Sequence, residues 1–439
     1  MHTQPTGEVI TFGAHELFFS TTDEQGRIAE ANEVFVRLSR YERGALTHQP
    51  HNIVRHPDMP SGVYRLLWDA LHDGRAFGGY IRNLAADGAR YDVFATVTPL
   101  PGGGYLSVRS RVMDEGQFQQ VWAAYTDAAR QEIGARSGGT SAREAAGIGA
   151  AALEETVRAL GFENYAAFQR RALVNEVTAR EEALSGSLGM VITNTIDLIV
   201  RAALGLHAEV SVLSFEQEAL EDLAQRVDAT AGRVREDIDL HAAGALGLWD
   251  EADGALRADI AALHGQLTAL GALSRETQFR IALARLHAAM VTQFADERFE
   301  IVDPEQREEA HRAIKVLVSA LVDGIDTMVE HVAALHAAIA SIRGLIDTVS
   351  ADMRARRALI DQYLDDRYFS PGSEGRTALG EHAELMEPAF SRAVVGADTA
   401  LATLAALNTA LLAFDDGYDA APLLAMRESL VESIAQTAV

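Results

Sequence analysis

The densest chemistry in the chain lies in Asn52-Ile53-Val54-Arg55-His56-Pro57-Asp58-Met59-Pro60, where a cation, an imidazole and a carboxylate share one short segment. Pro57 drives His56 out of the helical region, and Pro60 suits the first position of a helix. The polar groups are therefore displayed on a fixed turn, a geometry that serves ligand binding. The plainer alternative is a charged surface loop.

Elsewhere the search for catalytic spacing is negative. The sequence holds no P-loop, no dinucleotide glycine fingerprint, no His-Glu-x-x-His and no nucleophile elbow. His331 and His336 are five apart on an expected helix, which puts them on different faces and makes them poor co-ligands. Glu218-Ala219-Leu220 matches a nucleotide-phosphodiesterase signature by spelling alone. With 63 acidic residues, chance carboxylate pairs one helical turn apart are expected, and solvated faces are their ordinary role. The expectation is a protein that is not an enzyme.

Composition narrows the classes further. The chain has 439 residues, 48% hydrophobic and 23% charged, enough for two or three globular domains. A formal net charge of −25 repels phosphate backbones, so no nucleic-acid partner is expected. Lys315 is the sole lysine, an arginine bias that fits a GC-rich bacterial source. The absence of cysteine excludes disulfides, thiolate metal sites, iron–sulfur clusters and thiol nucleophiles. The beginning of the chain lacks a basic-then-apolar leader pattern. The best membrane candidate, Leu188 to Leu206, is interrupted by Asp197 and Arg201, so no membrane span and a soluble cytoplasmic protein are expected.

The elements that must position the turn follow from patterning. Leu17 to Thr22 reads as a strand, broken by Asp23-Glu24-Gln25-Gly26 before a second strand. Asn32 to Leu38 has helical spacing, and Ser61 to His72 carries Val63, Leu66, Leu67 and Leu71 on one helical face. Gly78 to Asn83, Tyr91 to Thr98 and Tyr105 to Ser110 read as three further strands, joined by turns at Ala86-Asp87-Gly88-Ala89 and Pro101-Gly102-Gly103-Gly104. Together they describe an α+β domain with an antiparallel sheet and short helices over residues 8–113.

Beyond Met113 the strand signals nearly vanish. Gln117 to Ile133 reads as an exit helix, followed by a flexible Gly/Ser linker from Gly134 to Ser141; exit helix and linker occupy 114–148. Residues 149–439 read as a large all-α bundle or coiled-coil region. Gly161-Phe162-Glu163-Asn164 separates two helices, and Asp303-Pro304-Glu305 signals a helix start. Ile325, Met328, Val332, Leu335, Ile339, Ile342, Ile346, Val349 and Met353 form a heptad seam, and a shorter one runs from Leu220 to Ile238. Such a seam serves either an internal bundle core or a dimer interface. Tyr368 to Ser373 closes the long helix, and a final pair of helices runs to about Val431.

The first hundred residues also resemble a family. Thr21-Thr22-Asp23 through Ala31-Asn32-Glu33-Val34-Phe35, then Ser39-Arg40-Tyr41, then Gln49 to Pro60, on through Trp68, Gly74, Gly79, Asn83, Asp87-Gly88 and Tyr91, is similar to a PAS domain of the bacterial aerotaxis-receptor type. The likeness spans about residues 12–111. It implies noncovalent FAD binding and the reporting of redox or oxygen state to a helical output, in chemotaxis-like signal transduction. Carried over by motif, the cofactor-bordering positions are Asn32, Arg55, His56, Asp58, Phe77, Asn83 and Tyr91. An arginine suits phosphate or an anionic reduced flavin, and an amide suits the isoalloxazine edge. Two positions depart from the pattern. Phe77-Gly78-Gly79 stands where tryptophan is usual, and Tyr91-Asp92 stands where an aromatic pair is usual. Strand alternation allows only one of Tyr91 and Asp92 to face the site. Haem is a remoter alternative, through His72, which reads equally as a helix-end cation.

The helical remainder resembles a chemoreceptor signalling region at most in degenerate form, from Asn194 to Leu223. The implied protein is a soluble PAS sensor, a homodimer through its helices, with a chemotaxis or other signalling protein as partner. The competing expectation is a ligand-free PAS scaffold whose departures at Phe77 and Asp92 reflect a pocket filled by its own side chains.

Overall fold

The computed structural model describes residues 3–184, 250–300, 304–369, 394–395, 397–409, 411–412 and 421–436. Leu188 to Leu206, the Asn194 to Leu223 stretch, the Leu220 to Ile238 seam and the Ser370 to Ser373 turn lie outside the described residues. The described chain opens with a five-stranded antiparallel sheet and continues almost entirely as helix.

The strands are β1 (Phe18–Thr22), β2 (Ile28–Ala31), β3 (Phe77–Leu84), β4 (Arg90–Pro99) and β5 (Tyr105–Arg111), in spatial order β2-β1-β5-β4-β3. The expected strand segments all form. Asp23 makes the first turn because its carboxylate accepts from the N–H groups of Gln25 and Arg27, at 2.9 and 2.8 Å. Helices α1 (Glu33–Ser39), α2 (Arg43–Leu46) and α3 (Ser61–His72) cross between β2 and β3, with a 3₁₀ turn at His51–Val54.

Both faces of this sheet are covered, and β3 is buried along its whole length. Register separates the faces. Phe18 pairs with Arg109, Ser20 with Ser107, Arg109 with Ala95, and Asn83 with Tyr91, so these residues share one side. The other side carries Phe19, Tyr80, Arg82, Asp92 and Phe94.

That second side is covered by helices. The helix α4 (Glu115–Ser137) begins just after β5, capped by the Asp114 carboxylate on the Gln117 N–H at 2.9 Å. It runs four residues beyond the expected exit helix, through Gly134 to Ser137, and only Gly138 to Ser141 separate it from α5 (Ala142–Ala159). The reason is visible at the next start. Ser141 and Glu144 form a reciprocal capping box, which fixes the chain where composition alone predicts a flexible linker. Helix α6 (Tyr165–Leu184) follows the Gly161 break, where φ is +90°.

Pro60 also sits one place earlier than expected. It is the cap residue of α3 and Ser61 is the first helical residue, so no cap side chain is present to accept from the first N–H groups. Glu132, from the last part of α4, supplies the acceptor instead. Its carboxylate takes the Ser61 N–H at 2.8 Å and the Gly62 N–H at 2.7 Å. Glycine at 62 is required by close approach, since a Cβ there would collide with the backbone of Gly149 and Ala150 in α5.

Two long helices, α7 (Asp250–Glu300) and α8 (Pro304–Phe369), and a last helix α9 (Ala421–Gln436) complete the described elements with the helical segment 397–409. The chain divides into two compact units: Met1–Ser214 with Gln278–Val329 and Ala421–Val439, and Phe215–Thr277 with Glu330–Ala420. In the first, α7 joins the sheet domain directly. Phe294 meets Phe19 edge-on at 4.8 Å, and the Gln293 side-chain amide brackets the Leu17 backbone, accepting from its N–H at 2.7 Å and donating to its C=O at 2.9 Å.

In the second unit the heptad seam from Leu335 to Met353 packs against Leu256, Ile260, Leu263, Leu267 and Leu270 of α7 and against Ala400, Leu404 and Leu407. This stretch of seam is therefore core within one chain. The whole seam from Ile325 to Met353 is buried. One stretch among the described residues, Arg312–Ala355, is long and apolar enough to cross a membrane by length and composition.

Candidate functional site

The cavity side of the sheet and α3 enclose a space of about 270 Å³. Its walls are mostly apolar: Leu67, Trp68 and Leu71 from α3, Phe77 and Ile81 from β3, Ala95 and Val97 from β4. Trp68 meets Tyr105 of β5 edge-on at 5.5 Å. Polar groups interrupt this lining, among them Asn52, Arg55, His51, Asn83, Ser107 and Arg109. An apolar cleft with few convergent polar groups is the ordinary form of a small-molecule site.

The Asn52 to Pro60 turn is docked onto β3. Arg55 and Asn83 form an isolated antiparallel bridge, the His56 N–H donates to the Arg82 C=O at 3.4 Å, and the Arg82 N–H donates to Met59 Sδ at 3.3 Å. These contacts set Arg55 at the cavity wall, where Nη2 donates to the Met59 C=O at 3.0 Å and to Ser61 Oγ at 3.2 Å. The guanidinium also lies 4.0 Å over the Tyr64 ring, whose hydroxyl burial pushes up to a pKa of about 12.

The seven positions implied by family resemblance fall into two groups. Arg55, Phe77 and Asn83 line the cavity. Asn32, His56, Asp58 and Tyr91 are not among its lining residues. Asn32 caps α1: its Oδ1 accepts from Phe19 N–H at 3.2 Å and Phe35 N–H at 3.3 Å, and its Nδ2 donates to Leu17 C=O at 3.3 Å. His56 is buried beside the turn, where Nδ1 accepts from the Asp58 N–H at 3.2 Å. Burial lowers its pKa below the usual imidazole value, against the opposing pull of Asp58. The Asp58 side chain is exposed, 3.6 Å from the same ring nitrogen. Tyr91 lies on the cavity face of the sheet, tilted against Phe18 at 6.2 Å. His72, the haem alternative, is exposed at the end of α3.

Alternation decides the two departures. Asp92 points to the opposite face, where it forms a bidentate pair with Arg82 at 2.6 and 3.0 Å, and that guanidinium stacks 3.4 Å over Trp122 of α4. It brings no negative charge to the cavity. Phe77 does line the cavity, and its ring is stacked on Tyr165 of α6 at 6.1 Å, which in turn shares a 2.8 Å hydroxyl hydrogen bond with Tyr125 of α4.

Two polar groups in the lining stand out chemically. Asn83 is 2% exposed, and its Nδ2 has no hydrogen-bond partner. A buried amide donor left unpaired costs about 1–3 kcal/mol, which a ligand acceptor would recover. Arg109 is 4% exposed, with no carboxylate within ion-pair distance among the described residues. Its Nη1 donates to Ser20 Oγ at 3.2 Å and its Nη2 lies 2.6 Å from His51 Nε2. Arginine cannot accept, so Nε2 carries the lone pair and His51 is neutral. Burial first, and the Arg109 charge second, push the His51 pKa well down, while burial lowers Arg109 to about 10.

The residue types alone did not mark Arg109, His51, Tyr64 or Trp68 as a set. The available signal was the alternation Tyr105, Ser107, Arg109 along β5, but Leu106 and Val108 are equally buried, so the pattern names no cavity face.

The family comparison agrees with this fold. Residues 15–108 match the PAS fold family. The aerotaxis receptor of Escherichia coli (strain K12) is 41% identical over 100 residues, 22% of this chain and 20% of that protein. The nitrogen fixation regulatory protein of Klebsiella pneumoniae is 30% identical over 81 residues, 18% of this chain and 16% of that protein. The chain thus spans a fifth or less of the length of these relatives. Among solved structures, a LOV protein of Rhodobacter sphaeroides has 23% identity, covering 33% of this chain and 88% of its own, with a TM-score of 0.21. A PAS domain from Colwellia psychrerythraea has 22% identity, covering 22% and 86%, with a TM-score of 0.20. The chain carries a PAS domain at residues 15–108, followed by a large helical region. That domain is of the type found in the aerotaxis receptor.

Proposed function

We propose that the chain is a soluble, cytoplasmic PAS sensor that binds a flavin, FAD by family likeness, and passes its redox state to the helical region. The observation that carries this reading is the unpartnered Asn83 amide in a mostly apolar cavity. It suits the acceptor-rich edge of a tricyclic ring, with Trp68, Leu71 and Phe77 as apolar walls and Arg55 at the rim. A cavity of about 270 Å³ suits the ring system, leaving the rest of the molecule toward the His51 and Asn52 side. When bound, the flavin supplies the electron chemistry; the protein orients it and responds to its charge.

Two contacts favour transmission into α4. The helix α3, which lines the cavity, is held at its first N–H groups by Glu132, and the cavity wall Phe77 is backed by the Tyr165–Tyr125 pair. In this reading residues 8–113 are the sensor, 114–148 the exit helix and connection, and 149–439 the output. The output acts without catalysis, as a homodimer presented to a chemotaxis or other signalling protein. Because the Leu335 to Met353 seam is filled from within the chain, a dimer would use other helical faces.

The purified protein, after incubation with FAD, is expected to absorb at about 450 nm as any bound flavin does. Asn83→Ala and Arg55→Ala are each expected to weaken occupancy about tenfold or more, the consequence of losing a hydrogen bond of roughly 1.5–3 kcal/mol, while far-UV circular dichroism stays unchanged. A colourless protein that stays colourless after reconstitution would instead point to a ligand-free scaffold.

A further inference from the structure

Two buried arginines sit on the same sheet in opposite electrostatic settings. Arg82, on the helix side, is matched by a bidentate carboxylate and an indole face. Arg109, on the cavity side, has a hydroxyl and a neutral imidazole, neither of which carries charge. Among the described residues its side chain makes two hydrogen bonds, whereas the guanidinium has five N–H donors. Its other neighbours include the rings of Phe18 and Phe35, 5.6 and 5.3 Å from the guanidinium carbon, and the Tyr91 and Tyr64 phenols, which interact with its charge. A buried guanidinium without an anion is costly unless a counter-charge arrives from elsewhere. The cavity that Arg109 lines offers a route for one.

We propose that Arg109, held in place by His51 and Ser20, is the charge-recognition residue of the cavity, selecting a planar ligand with an anionic or strongly accepting edge. His51 fixes the guanidinium by accepting from it, and its stacking on Phe35 at 5.8 Å with an interplanar angle of 8° fixes the imidazole in turn. Asn83, across β4 and β3 from Arg109, supplies the second, neutral contact and sets the plane. The proposal rests on the flavin reading for the identity of the ring, but not for its charge preference.

If the ring is a flavin, uptake of two electrons and one proton from an external reductant leaves it with a net negative charge. Arg109 then binds the reduced form more tightly than the oxidised one. For the FAD-loaded full-length protein titrated with dithionite, Arg109→Gln is expected to weaken the reduced form at least tenfold relative to the oxidised form. That corresponds to a midpoint potential about 30 mV lower for a two-electron couple. Arg109→Lys is expected to restore most of the difference, since it keeps the charge while losing the fork geometry. An Arg109→Gln protein that holds FAD at an unchanged potential overturns the proposal and leaves the flavin reading intact.

If the wild-type chain binds no flavin, the charge preference is read with 2-naphthoate against 2-naphthamide, two planar probes of nearly equal size. The wild type is expected to favour the carboxylate about tenfold, and Arg109→Gln to lose that preference. Equal binding of both probes by the wild type, or a preference that survives Arg109→Gln, overturns the assignment. A variant that merely misfolds is recognised by loss of the wild-type circular dichroism, and Arg109→Met, which removes the charge while keeping the apolar stem, then carries the comparison.

Discussion

The two faces of the PAS sheet are equally buried but differently settled. On the helix face, Arg82, Tyr80 and Asp92 find partners within the chain, although among the described residues Arg90 Nε and Thr98 Oγ1 do not. Arg82 has Asp92 and Trp122; the Tyr80 hydroxyl donates to Glu176 Oε1 at 2.8 Å; and the same Glu176 carboxylate accepts from the N–H groups of Met113 and Asp114 at 2.7 and 3.0 Å. On the cavity face, the Asn83 amide and the Arg109 charge are left incomplete. The difference teaches where the molecule is finished and where it is waiting for something. A satisfied buried network rigidifies an interface, whereas an incomplete one lowers stability until a ligand completes it.

The largest expected effect tests that contrast directly. Asp92→Ala strands the Arg82 guanidinium, 6% exposed, and is expected to destabilise the protein by about 3–5 kcal/mol in urea unfolding. Arg109→Gln, which breaks no ion pair, is expected to cost within about 1 kcal/mol in the ligand-free protein. Equal losses for the two variants would mean that Arg109 has an anion partner and that the faces do not differ.

Next in size is the connection from the cavity side to the helices. Glu132→Ala removes both acceptors from the start of α3 and is expected to lower stability by about 1–3 kcal/mol, with Glu132→Gln intermediate. Protection of the Ser61 and Gly62 amides in hydrogen exchange is expected to fall in step. Unchanged protection would remove Glu132 from the proposed route.

The smallest effect concerns pH. Burial raises the Glu176 pKa above its ordinary value of 4.5, against the opposing hydrogen bonds from Asp114, Met113 and Tyr80. The folded state therefore holds this proton to higher pH than the unfolded state. Its contribution to stability is present below about 4.5 and is lost as pH rises through the raised value. Unfolding curves across this window are expected to show that decline in the wild type and a flatter profile in Glu176→Gln. The same slope in both would assign the decline to other groups.

Much of the architecture was legible from residue order. The strands from Phe18 to Thr22 and from Phe77 onward, the helix Ser61–His72, the break at Gly161 and the Leu335 to Met353 seam all follow from local pattern, because turns and periodicity act over a few residues. Composition predicts a Gly/Ser linker from Gly134, but the helix runs on to Ser137 and a capping box at Ser141 and Glu144 starts the next one. The site was legible in part. Arg55, Phe77 and Asn83 reach the cavity, while Asn32 serves as a cap on backbone groups and His56 holds the turn.

The sequence by itself determined the PAS signature around Asn52 to Pro60, the succession of strands and helices, and the absence of cysteine chemistry, since these are properties of residue type and short-range spacing. Tertiary structure alone decided which face of a doubly buried sheet looks into the cavity. With apolar residues on both sides of β5, alternation carries no inward or outward label. It also decided that Glu132, some 70 residues downstream, completes a helix whose cap is a proline. Long-range partners of this kind depend on how helices dock, and no local pattern encodes them.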